Sequence, residues 1–102
     1  MFDFKVIENT PEILAIKMKG NLNTIAANDL KTEIDLVEKD LNKPVLIDVS
    51  QLDYISSTGL RCFLAIKKTI SVHGQKVTLK GMTSNVASVF QMTGFDKMFD
   101  QI

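Results

Sequence analysis

With 102 residues, 45% of them hydrophobic and 24% charged, the chain holds enough apolar material for one modest core and too much for a disordered tail. Lys plus Arg and Asp plus Glu number 12 each, so the formal net charge is zero, and no basic stripe interleaved with aromatics marks a nucleic-acid partner. The single cysteine, Cys62, excludes an intrachain disulfide and a metal site of the paired-cysteine kind.

The first residues lack the basic-then-apolar pattern of a signal peptide, and no apolar run approaches the length of a membrane span. A cytoplasmic location without membrane insertion is therefore expected. Phe2, Phe4 and Val6 alternate with Asp3 and Lys5, which predicts a half-buried strand. Asn9-Thr10-Pro11-Glu12 is a turn. Leu14, Ile16 and Met18 then alternate with Ala15, Lys17 and Lys19, predicting a second strand paired with the first as a hairpin and ended by Gly20. Asn23 or Thr24 is placed to cap a helix with Leu30, Ile34, Val37 and Leu41 at helical spacing. Asn42-Lys43-Pro44 breaks that helix.

Val45-Leu46-Ile47, continuing to Val49, reads as a buried strand. It leads into Leu52–Cys62 (Leu-Asp-Tyr-Ile-Ser-Ser-Thr-Gly-Leu-Arg-Cys), after which Leu60, Phe63, Leu64, Ile66 and Ile70 mark a helix. Ser56, Ser57, Thr58 and Gly59 thus fall at a strand-to-helix turn. Ser56 or Ser57 suits the N-cap, where a short side-chain oxygen accepts from the free amides of the first turn. One cap needs one hydroxyl, and three are present; the excess points to function. Gly59 is expected to let another molecule approach the backbone.

His73-Gly74 reads as a helix end with glycine in the left-handed position, and Lys76–Lys80 as a fourth strand. Ser84 is placed to cap a short third helix carrying Val86, Val89, Phe90 and Met92, ended by Gly94. The tail from Phe95 to Ile102 fits either a short edge strand or a packed coil. The predicted fold is one α/β domain over residues 1–102, a mixed sheet that opens with a hairpin and continues as alternating helices and strands.

Enzyme chemistry finds few components. A serine nucleophile needs a base within hydrogen-bond reach. The lone histidine, His73, lies sixteen residues beyond Ser57, roughly 24 Å along a helix at about 1.5 Å per residue. No glycine-rich phosphate loop is present. Asp48 lacks the acidic pair after Val6 that a phospho-aspartate receiver requires, and reads as a hydrogen-bonding residue on a strand face near the end of the sheet. Cys62 reads as an inert half-buried thiol, and Met82, Met92 and Met98 as core filler. No catalytic residue, metal or cofactor is expected.

Taken together these residues resemble a STAS domain, in particular a free-standing bacterial anti-sigma factor antagonist, over nearly the whole length. The resemblance is carried by the opening hairpin with Gly20-Asn21-Leu22-Asn23, by Val45–Ser50, by Tyr54-Ile55-Ser56-Ser57-Thr58-Gly59-Leu60, and by Phe90-Gln91-Met92-Thr93-Gly94-Phe95. It implies a binding module phosphorylated by an anti-sigma factor serine kinase and dephosphorylated by a PP2C-type phosphatase. Its unmodified form would bind the anti-sigma factor and release the sigma factor. The acceptor carried over is Ser57, with Thr58 and Ser56 as alternatives. A partner surface would combine Ser56, Ser57, Thr58, Gly59 and Arg61 with Asn21, Asn23 and Thr24, since loops leaving strands at one end gather at one rim. Arg61 would pair with an acidic group on the partner or with phosphate on Ser57, or stay solvated.

Two departures stand out. The family's aspartate before the acceptor is Ser56 here, and the acidic pair before the first helix is neutral, Asn21 and Asn23. The chain also ends soon after Gly94, so the resemblance implies a sheet with one side less covered than in many relatives and open to self-association. The alternative is a STAS-like accessory subunit of a lipid-transport ATPase complex or a stress-signalling scaffold, docking without phosphorylation.

Overall fold

The computed structural model describes residues 2–102; Met1 lies outside the described residues, as does the side chain of Val37, which the helical spacing had placed on an apolar face. Strands β1 (Phe2–Asn9) and β2 (Leu14–Leu22) form the predicted antiparallel hairpin, Phe4 opposite Met18 and Lys5 opposite Lys17. Thr10 closes its turn: the backbone N–H donates to the Ile13 carbonyl at 2.9 Å, and Oγ1 accepts from the Ile13 amide at 3.2 Å. The register slips between Val6 and Glu8. Val6 keeps its register opposite the buried Ile16, yet on this edge strand its side chain is exposed where alternation predicted a half-buried one.

Helix α1 (Thr24–Val37) takes Asn23 as its N-cap, Oδ1 accepting from the Ala26 amide at 2.9 Å. A 3-10 turn over Glu38–Asp40 then carries Leu41 into the core. Strand β3 (Val45–Ile55) runs parallel to β2 and to β4 (Val77–Lys80). It continues well past Val49. The reason is two register shifts against β2, between Lys17 and Lys19 and between Gly20 and Asn21. These break strict alternation, so the buried residues run Val49, Leu52, Ile55 with a spacing that no longer reads as strand. Asp48 therefore sits within the sheet, flanked in register by Lys17 and Lys80, rather than near its end.

Helix α2 (Ser57–Val72) ends at His73, with Gly74 following at φ +72°. Helix α3 (Ser84–Thr93) is capped by Thr83, one residue before the expected Ser84. Thr83 Oγ1 accepts from the Val86 amide at 3.4 Å and donates to the Leu52 carbonyl at 2.9 Å. That second bond ties α3 to the distal half of β3, a long-range preference no local pattern carries. After a 3-10 turn over Phe95–Met98, β5 (Asp100–Gln101) adds a parallel edge strand to β4, giving the order β1-β2-β3-β4-β5. The tail thus takes the edge-strand alternative.

The helices share one face of the sheet. Ile16, Ile47 and Leu79 form a buried cross-strand row beneath them. Cys62 Sγ meets the Ala27 carbonyl at 3.5 Å across the α1–α2 contact. Phe63 of α2, Phe90 of α3 and Phe99 pack edge to face with centroids 5.7–6.4 Å apart. The opposite face carries the charged row Lys5, Lys17, Asp48 and Lys80. Met92 is 87% exposed, and Met98 is also exposed, against the expectation of core filler. Two residues after the buried Phe90 is about 200° round a helix, which turns Met92 to solvent.

Candidate functional site

The site begins where β2 and β3 end together. Leu22 and Ile55 are register partners, and the next amide, Ser56 N–H, donates to the Leu22 carbonyl at 2.8 Å. That bond fixes the start of α2 beside the start of α1. Ser56 is the N-cap: φ −86° and ψ 169° are extended, and Oγ accepts from the Gly59 amide at 3.1 Å. At 9% exposure Ser56 is the only buried polar residue among those described.

The three hydroxyls of the turn therefore have different fates. Ser56 is buried and engaged in the cap, Thr58 is half-buried toward α1, and Ser57, the first helical residue, is exposed. Free amides of the first helical turn and the helix dipole both favour negative charge at that end. The first turns of α1 and α2 contain no acidic side chain, and both caps, Asn23 and Ser56, are neutral. Of the three hydroxyls of this turn, that of Ser57 is thus the accessible one, in a setting tolerant of added negative charge.

Gly59 has another role than the one expected. It is buried, and a Cβ there would stand 2.8 Å from Leu22 Cγ and 3.1 Å from Ile55 Cγ1. The close approach it permits is that of α2 onto the ends of β2 and β3, so its backbone is covered from within the chain.

Asn21, Asn23 and Thr24 lie exposed on the same rim as Ser57, Asn21 being the register partner of Tyr54. Two further residues stand out that sequence reasoning did not select. Ile25 is 75% exposed and Tyr54 50% exposed. Their signal was phase: Ile25 falls off the stripe of Ala27, Leu30 and Ile34, and Tyr54 precedes the buried Ile55.

Arg61 is exposed, one turn along α2 from Ser57. With Thr58, Cys62 and, across from them, Ala27 and Lys31, it lines a cavity of about 370 Å³ between α1 and α2. Asp35 and Glu38 line the same cavity. Burial pushes the Cys62 thiol above its ordinary value, with Lys31 opposing more weakly, which disfavours the thiolate. Asp48, on the far face, is held below the usual carboxylate range by the hydroxyl and amide of Ser50, at 2.6 and 2.9 Å, and more weakly by Lys17 and Lys80. Among the described residues no group of His, Cys, Asp and Glu is arranged to hold a metal, and no helix is long and apolar enough to cross a membrane.

The STAS domain family model matches residues 4–102. The protein named "Putative anti-sigma factor antagonist BtrV" from Bordetella bronchiseptica is 30% identical over 82 residues, covering 80% of this chain and 71% of that one. Among solved structures, an anti-sigma factor antagonist from Mycobacterium paratuberculosis superposes with a TM-score of 0.80 at 22% identity, over 99% of this chain and 85% of that one. The Bacillus cell fate determinant SpoIIAA in its phosphorylated form gives 0.71 at 16% identity, over 100% of this chain and 91% of the other. At these identities the two structures bear on the fold alone.

Proposed function

The chain belongs to the STAS-domain family, and on that premise we propose that it is an anti-sigma factor antagonist whose docking rim is switched by phosphorylation of Ser57. The observation that carries this reading is the contrast between neighbours: Ser56 is buried and engaged as the cap, while Ser57 is exposed at the first position of α2. Thr58, half-buried against α1, is the poorer acceptor, and Ser56 the poorest.

The partner is an anti-sigma factor with serine kinase activity, and a PP2C-type phosphatase restores the unmodified hydroxyl. A phosphate at the head of α2 is tolerated by the fold, since a negative group there contributes roughly 0.3–1 kcal/mol of stability at an exposed site. The same group brings about −1.5 to −2 charges into any surface apposed to the rim. Left unpaired in a desolvated interface, that charge opposes binding by several kcal/mol. The switch acts on docking with little change in shape. Exposed Ile25 and Tyr54 supply the apolar contacts of the rim, flanked by Asn21, Asn23 and Thr24.

Ser56 supplies the capping oxygen at the position where the family resemblance implies an aspartate, so a kinase acting here meets a neutral neighbour beside the acceptor. Incubation with the native kinase and ATP, followed by mapping of the phosphate and titration against the anti-sigma factor, tests the proposal. Modification at Ser57 with loss of binding is the expected result. Binding with no modification by any native kinase would replace the switch with constitutive docking.

A further inference from the structure

We infer that Arg61 is an intrachain clamp for phosphate on Ser57, the guanidinium folding back along α2 to pair with the modified side chain. This deepens the reading above and rests on Ser57 as the acceptor. Ser57 and Arg61 are separated by four positions on one helix, which stacks them on a common face with Cβ atoms about 5–6 Å apart. An anion N-terminal to a cation is the favourable order for such a pair. Helical side chains also lean toward the N-terminus, so a long side chain at 61 covers the turn that begins at Ser57.

The guanidinium is free for this task. Arg61 is exposed, and among the described residues it forms no ion pair with a carboxylate. The first turn of α2 offers no acidic competitor. The carboxylates of Asp35 and Glu38 line the same cavity as Arg61 without pairing to it. Phosphate brings more charge than a carboxylate and accepts the planar guanidinium fork in bidentate fashion. Modification of Ser57 therefore changes the rim twice over: it adds an anion, and it withdraws the cation that the unmodified rim presents to a partner. Without the clamp, the second change is missing.

The test needs no kinase. Phosphoserine is placed at position 57 by genetic encoding, and the phosphate is titrated by phosphorus NMR in Arg61, Arg61→Lys, Arg61→Ala and Lys31→Ala proteins, with circular dichroism confirming the helices. The second phosphate ionisation, ordinarily near pH 6, is expected lower in the Arg61 protein than in Arg61→Ala by about half a unit or more, since a nearby cation favours the charged form. Arg61→Lys should fall between them, and Lys31→Ala should match the parent. Equal titration with and without Arg61 overturns the clamp, as does a shift that follows Lys31 instead. The helix N-terminus is common to all four proteins and cancels. Failure of the native kinase to modify Ser57 would sink the acceptor reading while leaving this titration intact, so the two ideas fail separately.

Discussion

The amide of Ser56 donates to the carbonyl of Leu22 at 2.8 Å, joining the first residue after β3 to the last residue of β2. Parallel strands that end in register place the helices that follow them side by side. This bond extends the ladder by one step and turns it into the base of the rim. Everything assigned to the site, from Asn21 to Arg61, is referred to it.

Ser56→Ala removes the acceptor for the Gly59 amide at 3.1 Å. Loss of such a cap costs about 1 kcal/mol, within a range of roughly 0.5–2. Ser56→Asp retains a capping oxygen and should hold stability at or above the parent. Urea unfolding of the two variants checks both statements. Equal destabilisation would show that the cap is not what Ser56 contributes.

Gly59→Ala pits propensity against packing. Alanine is better than glycine in a helix by about 1 kcal/mol, yet its Cβ would lie 2.8 Å from Leu22 Cγ. Overpacking of a closed contact costs typically about 1–3 kcal/mol. A lowered melting temperature is expected, with weaker partner binding as α2 is pushed off the strand ends. A raised melting temperature would mean that Leu22 yields freely.

Asp48 predicts an acid-side loss of stability. Its folded value lies below the reference value of 3.8, chiefly because the Ser50 hydroxyl and amide bind the carboxylate. A depressed folded value contributes stability that is fully present above the unfolded value and lost as pH falls through the folded one. Unfolding free energies measured from about pH 5 down to about pH 2 should therefore fall less steeply for Asp48→Asn than for the parent. Parallel curves would remove Asp48 from the acid response.

Ser57→Asp should leave the melting temperature near that of the parent while weakening partner binding. The exposed first position of α2 accepts a negative charge without disturbing the core. Ile25→Ala and Tyr54→Ala test the same rim by subtraction: both side chains are exposed, and an apolar anchor at an interface commonly costs more than about 1 kcal/mol on truncation. Calorimetric titration separates the outcomes. Unchanged affinity in all three would place docking elsewhere on the chain.

Local chemistry made the hairpin, the three helices and the hydroxyl-rich turn legible, since each rests on period, cap or breaker within a few residues. The choice between Ser56 and Ser57 as cap was not local. It depends on the Leu22 carbonyl, which fixes the register at which β3 stops. The same holds for Gly59, whose neighbour is Leu22 rather than a partner, and for Thr83, preferred over Ser84 because its hydroxyl reaches Leu52. The length of β3 was hidden by register shifts that spoil alternation. Ile25 and Tyr54 were hidden by their type, since apolar side chains next to buried ones are read as core until a face is assigned.

Strand β4 is short, and it accompanies β3 only as far as Asp48. From Ser50 to Ile55 the strand has a β-neighbour on one side, β2, and on the other the hydroxyl of Thr83 on the Leu52 carbonyl. Opening this segment therefore requires parting from one strand, releasing that latch and lifting Leu52 and Ile55 out of the core, while Leu46–Asp48 cannot open without disturbing strands on both flanks. Deuterium should enter the amides of the rim-proximal half well before those of the inner half of the same strand. The surface assigned to docking is thus carried on the part of the sheet with a strand neighbour on one flank, and a partner seated there would be read in exchange experiments as protection gained from Ser50 to Ile55.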